Sequence, residues 1–396
     1  MIHFRTTYLL LCYWFCTVTA SLAQNATIRS LQQQIHTIEQ QWDKREEVLE
    51  FQLHQTDNGQ VVINGQTTLP EAKKQIMQRM HEQGIDLIDS LRLLPEAALG
   101  EHTRALVTLS VANLRASPNH ASELVSQALM GTPLRLLDVH DNWYRVQTPD
   151  RYIGWTNAAA LHLMTPQAGE QWTQTSRCIF NQPVGHIVEH PRKNSPTVAD
   201  VVLGNLMQTV PARRGYLKVT LPDGRCGYLK KKQCLPFEQW SRNVPHGSDI
   251  IATAKQMNGF PYLWGGTSAK GIDCSGFVAM TYLAHGIVLR RDASQQVQCG
   301  QRLAIDNPLL FEAGDLLFFG TCEQHVTHVG ISLGGGRFIH ASGRVHVSSL
   351  IAGDPDHVPD RHLVAACRVL NAIGMPGITP ISLHPWYTHR PNTVKP

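Results

Sequence analysis

Three residues in the C-terminal half of this 396-residue chain could together run a hydrolysis: Cys274, His328 and His340. Cys274 opens what reads as the first turn of a helix, "DCSGFVAMTYL". Unpaired backbone N–H groups and the helix dipole pull a thiol there toward thiolate, and a neighbouring imidazolium does so further. A cysteine nucleophile also needs an imidazole to move its proton and a third group to fix that imidazole. His328 and His340 flank the glycine run 334–336, so both are expected on the strands of a hairpin. With a three-residue loop, residue 330 opposes 340, and His340 lies diagonal to His328 on one face. A two-residue loop would separate them onto opposite faces. These residues alone leave Cys274 three roles: a small buried hydrophobe, half of a disulfide, or a nucleophile. Zinc is the rival use of the imidazoles, because His325 and His328 form H-x-x-H with His346 near; no H-E-x-x-H helix accompanies them, and no metal or cofactor is expected.

The rest of the chain must position that site. Its length argues for two to four domains, and 42% hydrophobic residues with 17% charged suffice for ordinary cores. A formal charge of +4 gives no basis for nucleic-acid binding, and "KKKQC" at 230–234 reads as a solvated strand end. Residues 1–23 read as a signal peptide: Arg5, the apolar "YLLLCYWFCTV", then the small-x-small Ser21-Leu22-Ala23. An exported protein, periplasmic or secreted, with no stable membrane insertion after cleavage, is therefore expected. Removing Cys12 and Cys16 leaves Cys178, Cys226, Cys234, Cys274, Cys299, Cys322 and Cys367. An odd number implies at least one free or intermolecular thiol. Cys226 and Cys234 could bridge if their strands pair.

Residues 24–104 read as a helical extension. Ile28, Leu31, Ile35, Ile38, Trp42, Val48 and Phe51 recur at helical spacing up to "DNG" at 57–59, and a second helix is expected over 69–83. Two all-β units follow, 105–165 and 175–237, each with short alternating runs between Pro, Gly and Asp. Both end in an aromatic strand, a polar turn, and Tyr-Ile-Gly-Trp (152–155) or Cys-Gly-Tyr-Leu (226–229), a faint internal repeat. Residues 246–370 have helices followed by strands, an α+β pattern. Residues 371–396 form a Pro-rich tail expected to run over the surface.

The first β unit resembles bacterial SH3-like barrels, through "NLRASP", "GTPLRLLD", "WYRVQ" and "YIGW"; the second resembles them less well. Residues 246–370 resemble the NlpC-type cysteine peptidases, papain-like enzymes of bacterial cell-wall metabolism. The resemblance rests on "YLWGG" (262–266), "GIDCSGFV" (271–278), "LRRDASQQ" (289–296), "AGDLLFF" (313–319), "HVGI" (328–331) and "FIHAS" (338–342), all in order. It implies a multidomain chain: helical extension, two all-β SH3-like barrels, and an α+β papain-like domain. It implies Cys274 as nucleophile, His328 as general base and acid, and His340 as the orienting residue. Two SH3-like units ahead of such a domain resemble the γ-D-glutamyl-L-diamino acid endopeptidases. That implies hydrolysis of the γ-D-glutamyl–diamino acid bond in peptidoglycan stem peptides or muropeptide fragments, with release of L-Ala-γ-D-Glu from a free N-terminal L-Ala. By the same resemblance the amine meets Asp273, Ser275 and Tyr262, with Glu123 and Tyr152 from the first barrel. Trp264 has two readings, a wall of the site or a core residue, and Arg291 is expected in an ion pair with Asp292 or elsewhere. The rivals are a wall-binding scaffold with a residual peptidase domain, and an amidase or acyltransferase on a related scaffold.

Overall fold

The computed structural model describes residues 28–388, apart from positions 57, 59 and 214. The signal-peptide reading of residues 1–23, with Cys12 and Cys16, and the last residues of the tail lie outside them. The chain divides after Ala97 into two compact units.

The first unit corrects the all-helical expectation. A helix spans 28–39 and buries Leu31, Ile35 and Ile38. Beyond it the period changes from 3.6 to 2: Leu49, Phe51 and Leu53 alternate with Glu50, Gln52 and His54. That segment is the strand Leu49–Gln55. It pairs antiparallel with Val61–Thr67, which pairs in parallel with Leu87–Leu93. The crossover between the parallel strands is the expected second helix, Pro70–Glu82, with Pro70 in its first turn. Its Ile76 and Met80 join Leu31 and Ile35 in one core.

Two seven-stranded antiparallel sheets open the second unit. The first runs in spatial order Leu161–Met164, Arg104–Val107, Pro133–His140, Trp143–Gln147, Ile153–Asn157, Val111–Arg115, Leu124–Leu129. The second is Cys234–Pro236, Arg177–Phe180, Leu206–Pro211, Tyr216–Thr220, Cys226–Lys230, Val184–Val188, Thr197–Val202. Counted by chain position, both read seventh, first, fourth, fifth, sixth, second, third. The faint sequence repeat is thus one topology used twice. Its shared glycine has a packing cause: a Cβ on Gly154 would lie 3.0 Å from Leu114 Cβ, and one on Gly227 2.4 Å from Ile187 Cγ2. In each sheet that neighbour comes from the second strand.

The remaining part is α+β. Helices Gly247–Gln256 and Cys274–Leu283 precede a six-stranded antiparallel sheet. Its order is Gln301–Leu303, Leu363–Arg368, Leu316–Gly320, Val326–Gly334, Arg337–Ser342, Arg344–Ser349. The helix Cys274–Leu283 is apolar on nearly every side because it is enclosed: Phe277, Val278 and Tyr282 are fully buried among Ile250, Phe318, Val329 and Ile339. Truncating a phenylalanine such as Phe277 there would cost about 3–5 kcal/mol. The tail does not simply run over the surface. Strand Ile378–Pro380 pairs with Ile287–Leu289, and Ile381 and Tyr387 are buried with Trp240 and Phe237.

Candidate active site

Asp273 starts the helix that carries Cys274. Its Oδ1 accepts the Gly276 N–H at 2.7 Å, an N-cap, and its Oδ2 accepts the Gly265 N–H at 2.9 Å. One carboxylate thereby ties the helix start to the "YLWGG" loop. Gly276 is required by crowding: a Cβ there would sit 2.1 Å from the Gly266 carbonyl oxygen. Arg291, 2% exposed, donates to both oxygens of Asp273 and, at 2.9 Å, to Ser275 Oγ; its Nε–H reaches Ser126 Oγ of the first barrel at 3.1 Å. The ion pair expected of Arg291 is thus made with Asp273, and the Asp292 charge adds to it. Ser275, one of the expected substrate contacts, faces this ion pair.

The Cys274 thiol departs from expectation. Burial pushes it up to about 11, and the adjacent Asp273 carboxylate adds to the rise. Backbone N–H groups of Val329 and Ser275, and the Arg291 charge, offset only part of this. The helix start is present, but withdrawal from water outweighs it.

The hairpin solves the histidine register in an unexpected way. Gly334 pairs with Arg337, which leaves a two-residue loop, Gly335-Gly336, both at positive φ (61° and 77°). The register shifts between Ser332 and Gly334, so Leu333 is a bulge that restores the pairing Ile331↔Ile339. Residue 330 then faces 340: a Cβ on Gly330 would lie 3.1 Å from His340 Cβ. His328 and His340 share a face, and His328 Nε2 lies 2.8 Å from His340 Nδ1. His340 Nε2 lies 3.0 Å from Ser348 Oγ on the next strand, and the His346 ring packs on His340 at 4.5 Å. Burial pushes His328 down to about 3, helped by the charges of Arg361 and His346; His340 is depressed by burial and by His328. At neutral pH the site rests as thiol and uncharged imidazoles.

The other expected residues divide into two groups. Tyr262 is half-buried beside Cys274 and Asp273; burial and those two groups raise its hydroxyl to about 12. Trp264 is 64% exposed, so it is no core residue, and its Nε1–H donates to Glu123 Oε1 of the first barrel at 2.8 Å. Tyr152 is buried with its hydroxyl 3.4 Å from Asp292 Oδ2, at the start of the helix Ala293–Gln296. Sequence reasoning missed Gln127, whose side-chain oxygen accepts from the Thr267 N–H and Ser268 Oγ, and Ser348 behind His340. Only the strand pairing of Ser348, two residues past the partner of His340, could have pointed to it.

The seven described cysteines are free thiols. Cys226 is exposed and Cys234 buried on strands that do not pair, so the suggested bridge is not made; the Cys234 thiol instead contacts that of Cys178. Among the described residues no three His, Cys, Asp or Glu side chains are gathered to hold a metal ion, and no helix is long and apolar enough to cross a membrane.

Comparison with known proteins matches residues 259–357 to the NlpC/P60 family and 114–161 to the bacterial dipeptidyl-peptidase SH3 domain. Dipeptidyl-peptidase 6 of Lysinibacillus sphaericus is 30% identical over 259 residues, 62% of this chain and 91% of that protein. A γ-D-glutamyl-L-lysine dipeptidyl-peptidase of Bacillus cereus is 29% identical over 235 residues, 56% of this chain and 68% of that protein. An NlpC/P60 family protein from Bacillus cereus superposes with a TM-score of 0.58 at 23% identity, covering 67% of this chain and 99% of its own.

Proposed function

The chain belongs to the NlpC/P60 family of cysteine peptidases, and from that membership we propose that it hydrolyses the γ-D-glutamyl–diamino acid bond of peptidoglycan stem peptides with a free N-terminal L-Ala. The products are L-Ala-γ-D-Glu and the remainder of the peptide. Action on such peptides belongs outside the cytoplasm, in keeping with an exported protein.

In this reading the Cys274 Sγ attacks the γ-carbonyl carbon while its proton passes to His328. The His328 Nε2 is taken up by His340 at 2.8 Å, which leaves Nδ1 for the thiol. With His340 donating onward to Ser348, His328 is held in this reading as the base for the thiol. Because thiol and imidazole rest uncharged, the charge pair forms only as the thiol–carbon bond forms. The backbone N–H of Cys274 donates to no carbonyl within the protein among the described residues and is available to the developing oxyanion. The C–N bond breaks as His328 returns the proton to the leaving amine. Water then gives a proton to His328 and attacks the thioester, which releases L-Ala-γ-D-Glu and restores the thiol.

The observation that carries the specificity is the Glu123–Trp264 hydrogen bond. The loop 262–274 holds the nucleophile at one end and, through Trp264, meets a barrel carboxylate near the other. Glu123 has no cation of its own among the described residues, whereas Asp273 is already neutralised by Arg291. Glu123 with the Tyr262 hydroxyl suits an incoming ammonium, while Asp273 and Ser275 hold the loop and helix start in place.

The test is hydrolysis of L-Ala-γ-D-Glu-diaminopimelate against the same peptide N-acetylated. Acetylation removes the charge and leaves the carboxylate unpaired, at a cost of about 2–5 kcal/mol, or roughly 30- to several-thousand-fold in kcat/KM. Glu123→Gln is expected to narrow that gap. Comparable rates for the two peptides in the wild type would overturn the amine requirement and favour a broader amidase or acyltransferase.

A further inference from the structure

Arg361 stands apart among the arginines of the peptidase domain. Two others withdrawn from solvent have carboxylate partners: Arg291 pairs with Asp273, and Arg368 with Asp315 and Glu312. Arg361 is half-buried, donates to Ser342 Oγ at 2.8 Å, and has no carboxylate within ion-pair distance among the described residues. A partly desolvated guanidinium without a counter-charge is unfavourable, and an arriving anion relieves it.

Its location makes that vacancy relevant to the reaction. Ser342 follows His340 by two residues on the strand Arg337–Ser342. The next residue, Gly343, takes the Tyr262 N–H on its carbonyl at 2.9 Å. Arg361 itself leads into the strand Leu363–Arg368, two strands from the one that carries His328. Cys274 bears electrostatically on Arg361, and the Arg361 charge bears on both histidines. Glu123, Trp264, Ser126 and Arg291 approach the nucleophile from the barrel side, whereas Arg361 approaches from the histidine sheet. A peptide with its amine at Glu123 and its γ-carbonyl at Cys274 sends the leaving residue toward Arg361.

We propose that Arg361 receives a carboxylate of the leaving diamino acid and so favours diaminopimelate over lysine at the third position; this rests on the γ-D-glutamyl reading above. The side chain of diaminopimelate ends in a carbon bearing both ammonium and carboxylate. The lysine side chain ends in ammonium alone, which a guanidinium repels. The planar fork of arginine takes a carboxylate through two N–H donors, which a lysine at position 361 would imitate only in part.

The experiment measures kcat/KM for wild type, Arg361→Gln and Arg361→Lys on four peptides. These are L-Ala-γ-D-Glu-meso-diaminopimelate, its L-lysine counterpart, the first peptide amidated on the side-chain carboxyl, and the first peptide amidated on the α-carboxyl of D-Glu. Wild type is expected to prefer diaminopimelate over lysine by about ten- to hundredfold, mostly through KM. Side-chain amidation should abolish that preference. Arg361→Gln should bring the ratio near one, and Arg361→Lys should retain part of it. An unchanged diaminopimelate-to-lysine ratio in Arg361→Gln overturns the proposal, as does equal loss on both peptides. Sensitivity of Arg361 to amidation of D-Glu instead would move it to the acyl side and overturn the assignment to the leaving residue. Failure of wild type to cut any of the four at the γ-bond would refute the functional reading itself, a result distinct from these.

Discussion

Asp273 gives both carboxylate oxygens to Arg291, at 3.1 Å and 2.5 Å, one residue ahead of the Cys274 thiol. Both side chains are almost wholly withdrawn from solvent. Removing one partner strands a buried charge. Arg291→Ala is therefore expected to lower the unfolding free energy by about 3–5 kcal/mol, read from the urea midpoint. Asp273→Asn removes the charge that helps to raise the thiol, so its Cys274 should alkylate faster than wild type at pH 8. A loss below 1 kcal/mol in Arg291→Ala, or an unchanged alkylation rate in Asp273→Asn, would contradict this account.

The neutral resting thiol sets an order of reactivity. With a value near 11, Cys274 is thiolate on the order of one part in ten thousand at pH 7. Cys226 and Cys322 are exposed. Iodoacetamide followed by peptide mapping should label those two first and Cys274 last among the three. Cys274→Ala should nonetheless abolish hydrolysis without loss of fold, while Cys226→Ala with Cys322→Ala keeps full activity. Residual turnover in Cys274→Ala would end the nucleophile assignment.

The depressed histidines couple folding to pH. Both fall below the ordinary value of about 6.5, His328 to about 3. As pH falls the unfolded chain takes up protons first. The stabilising contribution is therefore complete above about pH 6.5 and is lost progressively toward pH 3, by about 1.4 kcal/mol per pH unit for each group. Tm should fall steeply between pH 6.5 and 4 in wild type and less steeply in a His340→Gln variant. For the same reason the acid limb of kcat/KM should lie well below pH 6.5. An acid limb near 6.5 would mean that His328 is not shielded in the working enzyme.

The sequence carried the site better than the frame around it. Cys274, His328 and His340 were readable because a thiol at a helix start and two histidines about a glycine turn are local patterns. Their register was reached on a wrong premise: the loop has two residues, and the Leu333 bulge supplies the missing one. A bulge leaves no signature in a period-two pattern. The 24–55 helix failed where apolar spacing is ambiguous, since Val48 and Phe51 suit a helix, whereas Leu49, Phe51 and Leu53 define the strand. The ion pair of Arg291 was legible but its partner was not, and Gln127 was missed, because the partners lie 18 and 140 residues away. The raised thiol was unreadable because enclosure belongs to the packed molecule.

Gln127 and Glu123 belong to a barrel, yet one props Thr267 and Ser268 and the other meets Trp264. The residues proposed to break the bond and the residues that touch their loop from outside thus lie on separate stretches of chain, within 259–357 and 114–161. On the proposed reading, which peptide ends are admitted could be changed through a few side chains of the first β unit, with the thiol and its histidines left untouched. Conversely, residues 259–357 carried alone into another protein would bring the scissors without the gauge.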